Sequence, residues 1–295
     1  MWPANSDNRA LCYLASAALI LALGCVSLAG KQSAMLAADE KLLEVRGNIA
    51  RPPLVTSPAE IKIVTYNIRW RSGDALHRLI DLLREDPEIG GASIIGLQEV
   101  DRHKKRTQYT NTAREIAERL GMNYAWAAPP SNGEEEETGV MILSPYPLSE
   151  VKRILLPNTG PKGRRRVALG ATVNLGKTRI RVYSVHAETR INGGKRLEQF
   201  RAVVEEARAY QAMQTVILGD FNTIGEEAVR GTRRLFAASG FSTPFPDSQP
   251  TWKWFVIDFK LDWMWLRNLQ QPTACGIAKH IDLSDHWPLW VKIKL

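Results

Sequence analysis

Cysteine is scarce in this sequence, with three in 295 residues, and two of them, Cys12 and Cys25, fall near the start. Cys275 is thus left alone in the body of the chain, which excludes a disulfide-built scaffold and makes Cys275 read as a small buried hydrophobe. Cys and His at zinc-finger spacing are missing too, and no segment repeats. Acidic side chains are outnumbered, 31 Asp plus Glu against 39 Lys plus Arg, for a formal net charge of +8. That balance suits anionic partners without separating nucleic acid, phospholipid headgroup and small phosphorylated molecule. Long apolar runs are absent except for one, the uncharged Leu- and Ala-rich stretch at 11–29, preceded by Arg9. Its length is close to the ~20 residues that span a bilayer as a helix. Residues 1–30 therefore read as a signal peptide or a membrane anchor. Ser27-Leu28-Ala29 offers a small-x-small cleavage pattern, and Leu23-Gly24-Cys25 is an imperfect lipobox. Either way the remainder is exported: periplasmic, secreted or membrane-anchored.

With 44% hydrophobic residues, the chain has enough apolar material for a sizeable core. Residues 31–59 carry Arg51-Pro52-Pro53 and Ser57-Pro58 and lack strand alternation, so they read as a linker with a short helix at 37–45. From residue 60 to 295 short apolar strands exchange with amphipathic helices. Strands are predicted at 61–66, 93–97, 139–143, 167–173, 179–185, 215–218, 261–266 and 289–294, where Val, Ile and aromatics concentrate. Helices are predicted at 75–84, 112–120, 194–211 and 226–238. In the third, Leu197, Phe200, Val203, Val204 and Ala207 recur at helical spacing. Mixed elements of this kind imply an α/β fold with sheets covered by helices.

Strand after strand ends in a short polar cluster. Gly219-Asp220-Phe221-Asn222 follows an apolar run, and Asp220 with Asn222 offers one anionic and one neutral oxygen, a pairing suited to a hard cation such as Mg2+. The same tetrapeptide also reads as a turn closed by its own Asx side chains. Leu97-Gln98-Glu99-Val100 puts a carboxylate at the end of a buried strand, where an ionised Glu needs a partner or a metal. Asn67 ends the first predicted strand, and His186 follows the fifth. Ser284-Asp285-His286 precedes the last strand, and Asp262 opens the one before it. An Asp–His pair fixes the imidazole tautomer and favours its charged form, as proton transfer requires. Asp262 with His286 is the pair expected, with Asp285 facing a metal.

Taken in order, Thr65-Tyr66-Asn67-Ile68-Arg69, Leu97-Gln98-Glu99-Val100-Asp101, Ser184-Val185-His186, Gly219-Asp220-Phe221-Asn222, Leu261-Asp262-Trp263 and Ser284-Asp285-His286 resemble the motifs of the endonuclease/exonuclease/phosphatase (DNase I-like) superfamily. The resemblance runs from residue 61 to 295. It implies a four-layer α/β/β/α sandwich with two mixed β-sheets and a metal-dependent phosphoric ester hydrolase. It further implies that Asn67 and Glu99 hold Mg2+ or Mn2+ and that Asp220 and Asn222 position the attacking water or a second metal. His186 would contact a non-bridging oxygen, and Asp262 would orient His286. The reaction implied is in-line attack of water on phosphorus, with metal and imidazolium neutralising developing charge.

The substrate is less legible. Arg102-His103-Lys104-Lys105-Arg106 and Arg164-Arg165-Arg166 suit a nucleic-acid backbone, an anionic membrane or plain solvent exposure equally. Arg69 and Arg166 are the candidate substrate contacts. Trp252-Lys253-Trp254-Phe255 reads either as a loop that stacks bases or enters lipid, or as a cover for the core, with at least one Trp covering. Glu134 to Glu137 reads as a solvated loop. A phosphodiesterase with nuclease activity is expected, with a sphingomyelinase-like or inositol-phosphate-type phosphoesterase as the alternative. A binding protein that lost catalysis would lack one of these residues, and none is missing. A monomer is expected.

Overall fold

The computed structural model describes residues 41–47, 56–130 and 137–295. Outside the described residues lie the signal or anchor segment at 1–30, most of the linker at 31–59 and the acidic residues 134–136. Among the described residues no helix is long and apolar enough to cross a membrane.

In chain order the elements are β1 (Leu43–Arg46), β2 (Glu60–Asn67), α1 (Gly73–Glu85), β3 (Ile94–Arg102), α2 (Thr112–Leu120), β4 (Asn123–Ala127), β5 (Glu137–Ser144), β6 (Leu148–Leu155) and β7 (Val167–Leu175). They continue with β8 (Thr178–His186), α3 (Gly193–Arg208), β9 (Gln214–Asp220), α4 (Glu226–Ala238), β10 (Trp252–Trp254), β11 (Ile257–Phe259), β12 (Asp262–Arg267), β13 (Ala274–Ile277) and β14 (Leu289–Lys294). Seven strands form one sheet in the order β1-β4-β5-β3-β2-β14-β13, and five form a second in the order β12-β9-β8-β7-β6. Each is mixed: β2 and β3 are parallel in the first, β8 and β9 in the second, and the other neighbours are antiparallel. β10 and β11 make a separate hairpin.

The sheets pack face to face. Ile61, Ile63, Ala125 and Ile142 from the first interleave with Leu169, Val182, Val216 and Leu218 from the second, all fully buried. On the outer face of the second sheet, Phe200 and Val203 of α3 and Phe236 of α4 meet Tyr183, Ile217, Trp263 and Trp265, with Phe236 stacked on Trp265 at 4.6 Å. α1 buries Leu76, Leu79, Ile80 and Leu83, and α2 buries Ala113, Ile116 and Ala117 beside β3 and β4. The result is the four-layer α/β/β/α sandwich with two mixed sheets.

Three sequence expectations need correction. The 31–59 segment is not only a connector, because β1 inside it pairs antiparallel with β4, and residues 43–45 are extended where a helix was expected. The strand forms despite its polar sequence because the Glu44 carboxylate accepts from Tyr124, Asn111, Arg114 and Arg102. Glu137 is no solvated loop residue: it opens β5 and its carboxylate accepts from Arg102. Cys275, expected buried, is exposed in the short strand β13.

Candidate active site

Strand register alone brings most of the polar strand ends together. β8 and β9 run parallel with His186 opposite Asp220, and β12 runs antiparallel to β9 with Asp262 opposite Asp220. Asp220 therefore sits between His186 and Asp262 on one edge of the second sheet. In the first sheet, Asn67 lies opposite Gln98 at the matching edge. Glu99 follows in a bulge between Gln98 and Val100, which turns its side chain out of the ladder. The two edges meet: the Asn67 amide donates to Asp220 Oδ2 at 3.0 Å, across the sandwich.

The backbone here is held in uncommon conformations. Arg69, Trp70, Glu99 and Asn222 all adopt positive φ, between 46° and 56°, a cost that clusters at functional sites when surrounding structure enforces it. Gly219, just before Asp220, has φ 133°, and a Cβ there would strike the Val185 carbonyl. Only glycine lets β9 approach β8 this closely.

His286 Nδ1 lies 2.8 Å from Asp262 Oδ2, the pairing expected from the sequence. The same oxygen accepts from Thr251 Oγ1 at 2.7 Å, and that hydroxyl in turn accepts the backbone N–H groups of Leu261 and Asp262. Asp262 Oδ1 is buried with no hydrogen-bond partner. Burial works against the charged imidazole of His286, but Asp262, Asp220 and Asp285 outweigh it and raise its pKa, which favours the imidazolium. Its Nε2 reaches to 3.8 Å from Asp220 Oδ2. Asp220 is itself pushed up, first by burial and then by Asp262 and Glu99 against the pull of His286. Asn222 steadies it, donating its N–H to Asp220 Oδ1 and its amide to the Ala187 carbonyl.

His186 behaves oppositely. Its Nδ1 lies 3.3 Å from Arg166 Nη1, and a guanidinium only donates, so Nδ1 accepts and Nε2 carries the proton. That Nε2–H faces Asp220 Oδ2 at 3.6 Å and Glu99 Oε1 at 3.8 Å. Burial, then the charge of Arg166 and of His286, holds its pKa well below the ordinary value. His186 is thus a neutral donor, and the imidazolium expected in the pocket is His286. Arg166 is placed by Glu188, which also accepts from Arg164 and from the Arg190 N–H.

Asp285 departs from the expectation that it faces a metal. Its Oδ2 meets Arg69 Nη1 at 3.2 Å and accepts from the Trp252 indole at 3.0 Å, while Oδ1 accepts from Ser284 Oγ. Both oxygens are engaged in placing the loop that carries His286. Glu99, by contrast, has no hydrogen bond to its carboxylate among the described residues, and it lines a cleft of about 500 Å³ with Trp70, Lys104, Arg106 and Arg164 to Arg166. The two basic clusters of the sequence thus converge on Glu99, although Arg106 is tied to Asp101 and Arg102 to Glu44 and Glu137. Sequence reasoning missed Glu188 and Thr251. Glu188 stands two residues after His186 and was visible as a second carboxylate beside the motif, whereas Thr251 was hidden among aromatics.

For a divalent cation, the donor set fits. Glu99 offers a carboxylate with no hydrogen bond among the described residues, Asp220 is a buried carboxylate whose pKa burial raises, and the Asn67 amide oxygen accepts the Arg69 N–H. Asp220, Asp262 and His286 also come within 4.8 Å of one another. That second group is a poorer cage, since Asp262 Oδ2 and His286 Nδ1 are already bound to each other.

Residues 64–286 match the model of the Endonuclease/Exonuclease/phosphatase family. No curated protein matches the chain. Among solved structures, an endonuclease/exonuclease/phosphatase from Beutenbergia cavernae is similar with TM-score 0.64 and 16% identity, over 81% of this chain and 72% of that one. The human nocturnin catalytic domain, with a bound sulfate anion, aligns with TM-score 0.61 and 16% identity, over 82% of this chain and 98% of its own. Sphingomyelinase C from Streptomyces griseocarneus aligns with TM-score 0.57 and 16% identity, over 80% of this chain and all of its own, 100%. At such identities these likenesses speak for the fold, and the match over 64–286 speaks for descent: the chain belongs to the endonuclease/exonuclease/phosphatase family.

Proposed function

We propose that the protein is a Mg2+- or Mn2+-dependent phosphodiesterase that directs water in line at phosphorus. The observation that carries this reading is the position of Asp220, within 3.8 Å of His286 Nε2 and 3.6 Å of His186 Nε2 and hydrogen-bonded to Asn67. Glu99 and Asn67, with Asp220 beside them, would hold the cation, whose part is to neutralise charge on a phosphoryl oxygen. Asp220, made more basic by burial and oriented by Asn222, accepts the proton of the attacking water in its ionised form. The His286 imidazolium, held by Asp262, stabilises the developing negative charge, and His186 donates its Nε2–H to a non-bridging oxygen. Arg166 and Arg69 flank this centre on two sides and suit the rest of a phosphorylated substrate. Basic side chains crowding the Glu99 cleft favour a polyanionic or headgroup-bearing ester, with nucleic acid and phospholipid headgroup both accommodated.

The test uses purified full-length chain and bis(p-nitrophenyl) phosphate. Turnover should require added Mg2+ or Mn2+ and vanish in excess chelator. His286→Ala should lose on the order of 100-fold to 1000-fold in kcat, the usual cost of one electrostatic partner in such a pocket. Equal rates with and without chelator would sink the metal-dependent reading.

A further inference from the structure

The hairpin of β10 and β11 turns through residues that avoid water elsewhere in the protein. Trp254, Phe255, Val256 and Ile257 are 59, 89, 97 and 45% exposed. The other exposed large apolar residues among those described fall singly in the sequence, at Val45, Tyr109, Leu155 and Ile224. Scattered apolar residues on a surface need no explanation, but four in succession at an apex do. The apex is also ordered as a ridge: Phe255 holds the left-handed conformation at φ 52°, and its ring rests 5.5 Å from that of Trp254.

The root of the hairpin is fastened to the active site. Trp252 Nε1 donates to Asp285, Lys253 N–H donates to the Asp285 carbonyl, and Trp252 forms a β-bridge with His286. Trp252 stacks on Phe259 across the hairpin, so the base is covered while the tip is bare. Below the tip, Arg69, Arg71 and Lys253 share a cleft of about 480 Å³ with Trp254, Phe255 and Asp285. An apolar ridge thus stands over cations at the mouth of the pocket.

We propose that this hairpin docks on a phospholipid bilayer, with tip residues 254–257 entering the boundary between headgroups and acyl chains and Arg69, Arg71 and Lys253 facing anionic headgroups. Two features favour lipid over nucleic acid. Val256, the most exposed of the four, and Ile257 are aliphatic and offer no π-face on which a base could stack. An aromatic pair beside an aliphatic pair, with cations set behind, matches the layered polarity of a membrane surface.

Docking of the tip does not depend on turnover, so fluorescence reads it whether or not the pocket hydrolyses anything. Full-length chain is mixed with phosphatidylcholine/phosphatidylglycerol vesicles carrying brominated acyl chains, and tryptophan quenching is compared with that of Trp254→Phe. A quenched component that disappears in Trp254→Phe supports docking. Val256→Asp, at a side chain that touches little, should keep the thermal midpoint and raise the lipid concentration for half-quenching of Trp254 by about 10-fold or more. Equal quenching in the wild type and Trp254→Phe overturns the proposal. So does a Trp254 signal that responds to a single-stranded oligonucleotide and ignores brominated lipid, which would mark the tip as a stacking platform for bases.

Discussion

At the scale of single residues, the pocket contains two imidazoles held in opposite states by their neighbours. Asp262, with Asp220, favours the charged form of His286 against burial, while burial and Arg166 favour the neutral form of His186 with its proton on Nε2. The second arrangement depends on a partly buried arginine whose charge is answered by Glu188 at 3.4 Å. Arg166→Lys replaces a planar fork with a point charge and should lower kcat by about 10- to 100-fold, the usual effect of losing an outer partner. Nitrogen NMR of His186 checks the cause, since both tautomers should become visible in the variant and only one in the wild type. Asn67, Glu99, His186, Asp220, Asp262 and His286 were legible in the sequence because each ends or interrupts an apolar run. Thr251 acts through Asp262 and leaves no such mark, while Glu188, a second carboxylate just after His186, acts through Arg166. The charge state of His186 was illegible as well, because it is set by burial and by Arg166, which stands just before β7.

At the scale of elements, the strands and helices that alternate cleanly were readable, and those stabilised from outside were not. α2 follows its sequence signals, with Asn111 accepting from the Arg114 N–H at its start and Gly121 in the left-handed conformation at its end. β6 breaks alternation at an irregularity between Ser149 and Lys152, and β4 is five wholly buried residues with no polar face. β1 is the plainest case, a polar strand kept in the sheet by Glu44. Burial raises the Glu44 pKa, but the hydrogen bonds of Tyr124, Arg114, Asn111 and Arg102 outweigh it and bring the value to about 2. A carboxyl depressed in the folded state contributes stability above its unfolded pKa of ~4.3, and that contribution is lost as pH falls through the folded value. Urea midpoints should therefore drop between pH 5 and pH 2 more steeply in the wild type than in Glu44→Gln. At pH 7, Glu44→Ala should cost about 1–3 kcal/mol by leaving its donors unpaired.

At the scale of the molecule, the distance between the sheets sets the geometry of the site. Gly96 of β3 faces Leu218 of β9, and a Cβ at Gly96 would collide with the Leu218 side chain in the fully buried interior. Nearby, the Gln98 amide donates to Ser184 Oγ at 3.1 Å, a second polar tie across the sandwich beside Asn67 and Asp220. Gly96→Ala should push the sheets apart, with a loss of about 1–3 kcal/mol from overpacking. It should also cost a disproportionate share of kcat, because Glu99 and Asp220 ride on the two strands being separated. A thermal melt and a rate measured on the same sample would distinguish this from simple destabilisation: a variant well below its melting point yet slow confirms it, and one with full rate refutes it.

Because Asn67 and Glu99 come from one sheet while His186, Asp220 and Asp262 come from the other, neither half of the chain holds a working centre. His286 arrives only with the final turn before β14. A nascent or partly unravelled chain should therefore lack an assembled centre, which is complete only once β14 has joined the first sheet.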